Sequence, residues 1–226
     1  MTIESDDLSE RLENQRELRV TVPIRQFQLE HIIRHFDENL DEIVSLGTVA
    51  DAVCGKRKSD AEAIWRAQLL LLESSLDFYL HELCKYGMLK MFDGSWNRTD
   101  SFCNLKVPMT KVVAALNHPE SSDWMLEYSN DKVSHEIYMA PDDIKSQCSL
   151  LGINFENVCR QVDATCKEGL KALYKRRNQI AHQTDRRHED AQLENISRQS
   201  VAEAIKLITS FVRKLHSEAE GLGSGQ

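Results

Sequence analysis

Residues 177–182 read Arg177-Asn178-Gln179-Ile180-Ala181-His182, which sets a permanent cation, an amide and a titratable imidazole within one short segment. These are groups that can cut RNA without a metal. Attack of a ribose 2′-OH on the adjacent phosphate needs a base, and the departing 5′-oxygen needs an acid. An imidazole with a pKa of ~6.5 can serve either role near neutral pH. The pentacoordinate phosphate gathers negative charge, which a fixed guanidinium can neutralise through paired hydrogen bonds.

Spacing alone is weak evidence. With 15 Arg and 8 His in the chain, chance supplies about half an Arg-x4-His match; requiring Asn directly after the Arg lowers this to about 0.02. Asn178 and His182 are i,i+4 neighbours, so a helix brings them to one face. The surroundings are basic. Residues 167–188 carry seven Lys/Arg and two acids, a local +5 on a chain of net −8. Lys175, Arg176, Arg186 and Arg187 are the candidates to touch an RNA backbone; the alternative is a solvated helix face whose cations complement its dipole, with Arg186, Arg187 and His188 in a solvated loop. The acidic remainder argues against a broadly basic nucleic-acid-binding surface. Glu73, Asp77 and His81 recur at i, i+4, i+8. They form either a second polar face lining the same cleft or an exposed stripe of weakly paired side chains.

These residues need long helices to position them, and the composition favours helices. Only 4 Pro and 9 Gly punctuate 226 residues, 41% of them hydrophobic and 28% charged. Residues 1–20 read as a polar arm. Pro23 suits a first helical turn, and an apolar spacing from Ile24 predicts a helix to about Leu46, with Gly47 and Gly55 bracketing a connector. Ser59 or Asp60 can cap a second helix ending near Gly87. Residues 88–152 are irregular and read as an insertion, with a turn at 94–97, a short helix from Thr110 to Asn117 stopped by Pro119, and another from Asp142 to Leu150. Asn154 can cap a helix through Ile180, broken near Gly169. A polar loop over 183–197 precedes a last helix from Val201 to about Ala219, and 220–226 read as a flexible tail. The expected fold is all-α: a bundle of four to five long helices in one domain over 21–219, with the insertion packed against it.

The N-terminus is acidic and has no apolar signal segment, and no apolar run is long enough to span a bilayer. The 6 Cys show no CxxC pair and no zinc-like spacing, so a cytoplasmic chain with reduced thiols and no metal is expected. No glycine-rich phosphate loop is present, and no cofactor is expected.

Arg177-Asn178-x-x-Ala181-His182 resembles the Arg-x(4–6)-His motif of HEPN domains in its Arg-Asn-x-x-x-His form. A second stretch, residues 66–83 with Leu76-Asp77 and His81-Glu82-Leu83, resembles the corresponding helix of the RiboL-PSP-type HEPN branch. The resemblance covers about residues 60–90 and 154–218. It implies a helical bundle that dimerises and a metal-independent endoribonuclease acting on RNA, as a toxin or phage-defence effector held in check by an antitoxin or other regulatory protein. It assigns Arg177 to phosphate stabilisation and His182 to proton transfer. Asn178 would orient the phosphate or His182, and the product would carry a 2′,3′-cyclic phosphate. Some HEPN toxins carry Tyr two residues after the His as a modification site; this chain has Thr184, and that regulation is not expected.

One geometric problem follows. Five residues at ~100° each set Arg177 and His182 about 140° apart around an ideal helix. They converge only if Arg177 reaches around, if the helix unwinds near His182, or if a partner subunit completes a composite site. The alternative is a non-catalytic helical module that binds RNA or protein, with Arg177 and Asn178 structural.

Overall fold

Helix α1 (Leu29–Cys54) and helix α2 (Lys58–Phe92) form a hairpin along whose length the apolar faces of both are buried. The computed structural model describes residues 28–118, 123–134 and 138–223, and the whole predicted arm lies outside them, as do Pro23 and Ile24. α1 does not stop at Leu46. It runs through Gly47, where a Cβ would lie 3.2 Å from Gln68 Nε2, the amide that donates 2.7 Å to the Ile43 carbonyl. Gly47 is therefore a point of close approach between two helices, not the start of a connector. Val44, one residue beyond buried Ile43, is half-exposed.

α2 is the centre of the molecule. Leu69, Leu72, Leu76, Tyr79, Leu80 and Leu83 are all buried, and α2 packs against most other helices. It begins one residue before Ser59, with no side-chain cap, and continues past Gly87. A Cβ at Gly87 would sit 2.3 Å from Leu151 Cδ2 and 2.7 Å from the Trp96 ring, so this glycine admits two core side chains against the helix backbone.

The irregular middle stretch resolves into four helices: α3 (Asp100–Cys103), α4 (Met109–Asn117), α5 (Asp123–Ser134) and α6 (Pro141–Leu151). The predicted turn is present, with Gly94 at φ +85° and the Ser95 N–H donating to Asp93 Oδ1. α4 ends at Asn117; Pro119 lies outside the described residues. α5 and α6 pack on α2. α6 ends at Gly152, whose left-handed φ of +79° suits a residue without a Cβ.

α7 (Phe155–Val162) is capped by Asn154, whose side chain accepts from the Asn157 N–H at 2.9 Å. The break comes earlier than Gly169. The Asp163 carboxylate accepts from both the N–H and the hydroxyl of Thr165, a local turn that competes with the helix, and α8 (Cys166–Gln183) restarts beyond it. Gly169 instead lets Leu207 approach α8; a Cβ there would be 2.5 Å from Leu207 Cδ2. α9 (Arg198–Gly223) starts before Val201 and remains helical through 223, so most of the predicted tail is helix. Its buried stripe, including Ala204, Ile208, Phe211, Val212 and Leu215, closes the bundle. The described residues thus form nine helices and no strand, four of them long, in agreement with the all-α expectation.

The cysteines are less scattered than their spacing suggests. Cys84, Cys148, Cys159 and Cys166 are all buried in the core. Burial pushes the Cys148 thiol up to about 12, so it packs as a small neutral hydrophobe. No group of metal-ligating side chains occurs among the described residues.

The glycine contacts give a paired expectation. Gly87→Ala gains about 1 kcal/mol of helix propensity but must displace Leu151 and Trp96, and overpacking of this kind costs about 1–3 kcal/mol, so a net loss is expected. Gly55→Ala, at φ −71° with open space around it, should be neutral or stabilising by about 0.5 kcal/mol. Thermal denaturation of the two variants beside the parent checks both signs.

Candidate functional site

The segment bearing the motif is held at its end by one buried carboxylate. After α8, Thr184 (φ +51°) and Asp185 (φ +61°) both take left-handed backbone and return their N–H groups to the Gln179 carbonyl. Asp185 is fully buried. Its Oδ2 accepts from Arg66 Nε of α2 at 2.6 Å and from Arg176 Nη2 of α8 at 2.8 Å. Each arginine also holds the far end of the loop: Arg66 donates to the Glu194 carbonyl at 2.7 Å, Arg176 to the Asn195 carbonyl at 3.0 Å. The loop closes on itself through the Arg186–Leu193 bridge, an Arg187 N–H to Gln192 carbonyl bond, and an Arg187–Asp190 ion pair at 2.7 Å. Loop 184–197 is therefore a braced structure across α2 and α8.

That brace shapes an open depression of about 460 Å³ between the last turns of α8 and the loop. Asn178 and His182 line it from the helix, with Lys175, Gln179 and Gln183; Arg187, His188, Glu189 and Glu194 line it from the loop. His182 is exposed, and α8 remains α-helical through it, so the helix does not unwind to bring Arg177 round.

Arg177 faces elsewhere. It does not line the depression; its Nε is buried without a hydrogen-bond partner, and its Nη1 donates to Asn178 Oδ1 at 3.1 Å. Asn178 thus both accepts a hydrogen bond from Arg177 and lines the depression with His182.

Of the second triad, Glu73 is not on an exposed stripe. It is 2% exposed, and neither carboxylate oxygen has a hydrogen-bond partner. Burial pushes its carboxyl up to about 8; the Arg177 guanidinium pulls it down less strongly, and Asp77 adds to the rise. Asp77 and His81 serve the insertion instead. Asp77 Oδ1 accepts from the Tyr138 N–H at 2.7 Å, and the His81 ring meets Tyr138 edge-on with centroids 4.6 Å apart. His81 Nε2 lies 3.6 Å from Asp77. None of the three lines the depression, so the cleft-lining expectation does not hold within this chain: i,i+4 spacing along a helix buried on most sides turns these groups toward the core and the insertion.

The basic island is thinner than its charge count. Arg176 is committed to Asp185 and Asn195, which removes it from the RNA-backbone candidates. Arg186 donates to the Ala191 carbonyl at 2.7 Å but remains exposed. Lys175 and Arg187 line the depression. The sequence reading missed Arg66, and it counted Asp185 only as a charge. A carboxylate directly followed by Arg186 and Arg187 inside a strongly basic stretch was the available signal, because such a group has cations within reach and is readily buried with them.

A family model described as RiboL-PSP-HEPN matches residues 28–221. No curated protein and no solved structure matches the chain. Among the described residues no helix is long and apolar enough to cross a membrane.

Two measurements probe the site's supports. Arg66→Met leaves Asp185 with one cation and the Glu194 carbonyl with no donor from α2; it should cost about 2–4 kcal/mol in urea denaturation and expose loop 184–197 to proteolysis. Glu73 binds its proton more tightly folded than unfolded. Its stabilising contribution is therefore complete below about 4.5 and is lost as pH rises towards about 8. Glu73→Gln should remove that dependence, leaving the variant more stable than the parent by a few kcal/mol at about pH 8.5 and nearly equal at about pH 4.5.

Proposed function

The chain belongs to the RiboL-PSP-HEPN family, and from that membership we propose that it is a metal-independent endoribonuclease whose reaction centre is the depression at the end of α8. The observation that carries this reading is the placement of Asn178 and His182, two members of the family's motif, together on an open depression of nucleotide-accepting size that Lys175 and Arg187 also line. RNA is the substrate. A 2′-OH attacks the adjacent phosphorus, the 2′-O–P bond forms, the P–O5′ bond breaks, and the product keeps a 2′,3′-cyclic phosphate. His182 moves a proton, and Arg177 neutralises the developing phosphate charge, with Asn178 between them as their link.

Arg177 and His182 have different surroundings in one chain, which supports a homodimer in which the motif of one subunit completes that of the other. Such an enzyme acts in the cytoplasm as a toxin or antiviral effector, and a regulatory protein or antitoxin restrains it. A second reading, a non-catalytic helical module that binds RNA or protein, is favoured by one observation: Arg177 is turned toward buried Glu73, as a structural arginine is.

An RNA cleavage assay in EDTA separates the two. Wild type should cut and leave 2′,3′-cyclic phosphate ends. His182→Ala and Arg177→Ala should each lose about 10²–10⁴-fold in rate while keeping the parent's helical content. Equal cutting by folded variants and parent would sink the nuclease assignment at this site. Mixing the two variants tests the composite site: partial recovery of activity is expected if each dimer can assemble one intact centre.

A further inference from the structure

On the nuclease reading above, we infer that His188 is a second catalytic residue of the same centre, the proton-transfer partner of His182. Cleavage moves two protons. One leaves the attacking 2′-OH as the 2′-O–P bond forms; one must reach the 5′-oxygen as the P–O5′ bond breaks. A single imidazole that has just accepted the first proton can give it up, but it must then reach opposite sides of the phosphorus, because the attacking and leaving oxygens lie roughly in line. Two groups on facing walls meet that demand.

Two separate elements line the depression: His182 comes from α8 and His188 from the loop, and among the described residues they are the only imidazoles lining it. The other loop-wall candidates fit the role less well. Arg187 stays protonated, and it is tied to Asp190. Glu189 and Glu194 carry carboxyl groups, a side-chain type less suited than an imidazole to give a proton to a leaving oxygen near neutral pH. An imidazole is matched to both acid and base duty there. The groups facing the pair are Lys175 from α8 and Arg187, Glu189 and Glu194 from the loop, so cations and carboxylates are balanced around it.

Loop residues are poor catalytic supports when they wander, and this loop is tied down. Arg66 and Arg176 grip both of its ends through Asp185, Glu194 and Asn195, and the Arg187 N–H to Gln192 carbonyl bond fixes the backbone directly before His188. The buried three-residue clamp thereby acquires a purpose beyond stability: it holds the loop wall opposite the α8 wall.

The test compares two substrates in the full-length protein. One is a ribodinucleotide, whose 5′-oxygen leaving group needs an acid; the other is a ribonucleoside 3′-(4-nitrophenyl phosphate), whose phenolate leaves without one. On the dinucleotide, His182→Ala and His188→Ala should each lower kcat by at least 100-fold, with KM changed much less, and the bell-shaped pH profile of the parent should lose one limb in each variant, a different limb in each. On the nitrophenyl ester, one variant should regain most of its rate, identifying the acid, while the other stays slow, identifying the base. His188→Gln, which keeps size and polarity without the proton, should behave like His188→Ala. The inference is overturned if His188→Ala and His188→Gln keep kcat within about threefold while His182→Ala is inactive; the nuclease site then stands with a different second group. If His182→Ala also keeps full rate, the nuclease reading itself is wrong.

Discussion

A carboxylate with no solvent exposure, gripped by two guanidiniums, is the constraint on which the rest of the site depends. Asp185 sits where a left-handed turn ends α8, and the same turn must launch a loop back toward α9. Burying an unpaired charge is costly, so the fold is acceptable only if Arg66 and Arg176 both arrive. Arg66 comes from the first third of α2, 119 residues away, and Arg176 from one residue before the motif. The clamp therefore couples three things that the chain could otherwise vary separately: the register of α2 against α8, the end of α8, and the path of the loop. Left-handed backbone at two successive non-glycine residues is unfavourable by itself, and the ion pairs and returned N–H bonds offset it.

The neighbouring pair, Glu73 and Arg177, follows the opposite logic. Both are turned inward, yet neither Glu73 oxygen nor Arg177 Nε has a hydrogen-bond partner. A directly hydrogen-bonded ion pair would hold Arg177 in place, as Asp185 Oδ2 holds Arg176. A protonated Glu73 attracts the guanidinium weakly, so Arg177 is near a buried acid without being locked to it. Adjacent arginines on one helix are thus given different duties by the groups opposite them: Arg176 donates to Asp185 Oδ2 at 2.8 Å, and Arg177 meets a carboxyl whose charge burial suppresses.

Much of this was legible in the sequence, and the misses share a cause. The four long helices, the Asn154 cap and the α8–loop–α9 ending follow from periodicity, capping chemistry and polar composition, all of which are local. Gly47, Gly87 and Gly169 mislead because a glycine in a helix signals either an end or a close contact, and only the partner helix decides which. The polar stripe Glu73, Asp77, His81 misleads for a similar reason. Its spacing identifies one helix face, but whether that face meets solvent, a cleft or the Tyr138 segment depends on how residues 88–152 fold back, which no local pattern encodes. The motif itself shows both sides. Asn178 and His182 share a depression as their i,i+4 spacing requires, and Arg177 stands apart by the angle its own spacing imposes.

Charge distribution explains why so few cations can suffice. The chain is −8 overall while residues 167–188 are +5, so on the proposed function an RNA backbone would be repelled from most of the surface and admitted at one edge of the bundle. Within that edge, Arg176 is consumed by Asp185, and Arg186 and Arg187 each hold part of their own loop, leaving Lys175 as the helix-borne cation that lines the depression without an ion pair among the described residues. Affinity built on one or two phosphate contacts is weak and only mildly salt-dependent. A site of that kind gains little from gripping long RNA and depends on placing a single phosphodiester between its two walls. The geometry of the loop therefore matters more to it than the sum of its charges, and that geometry returns to the buried carboxylate at the end of α8.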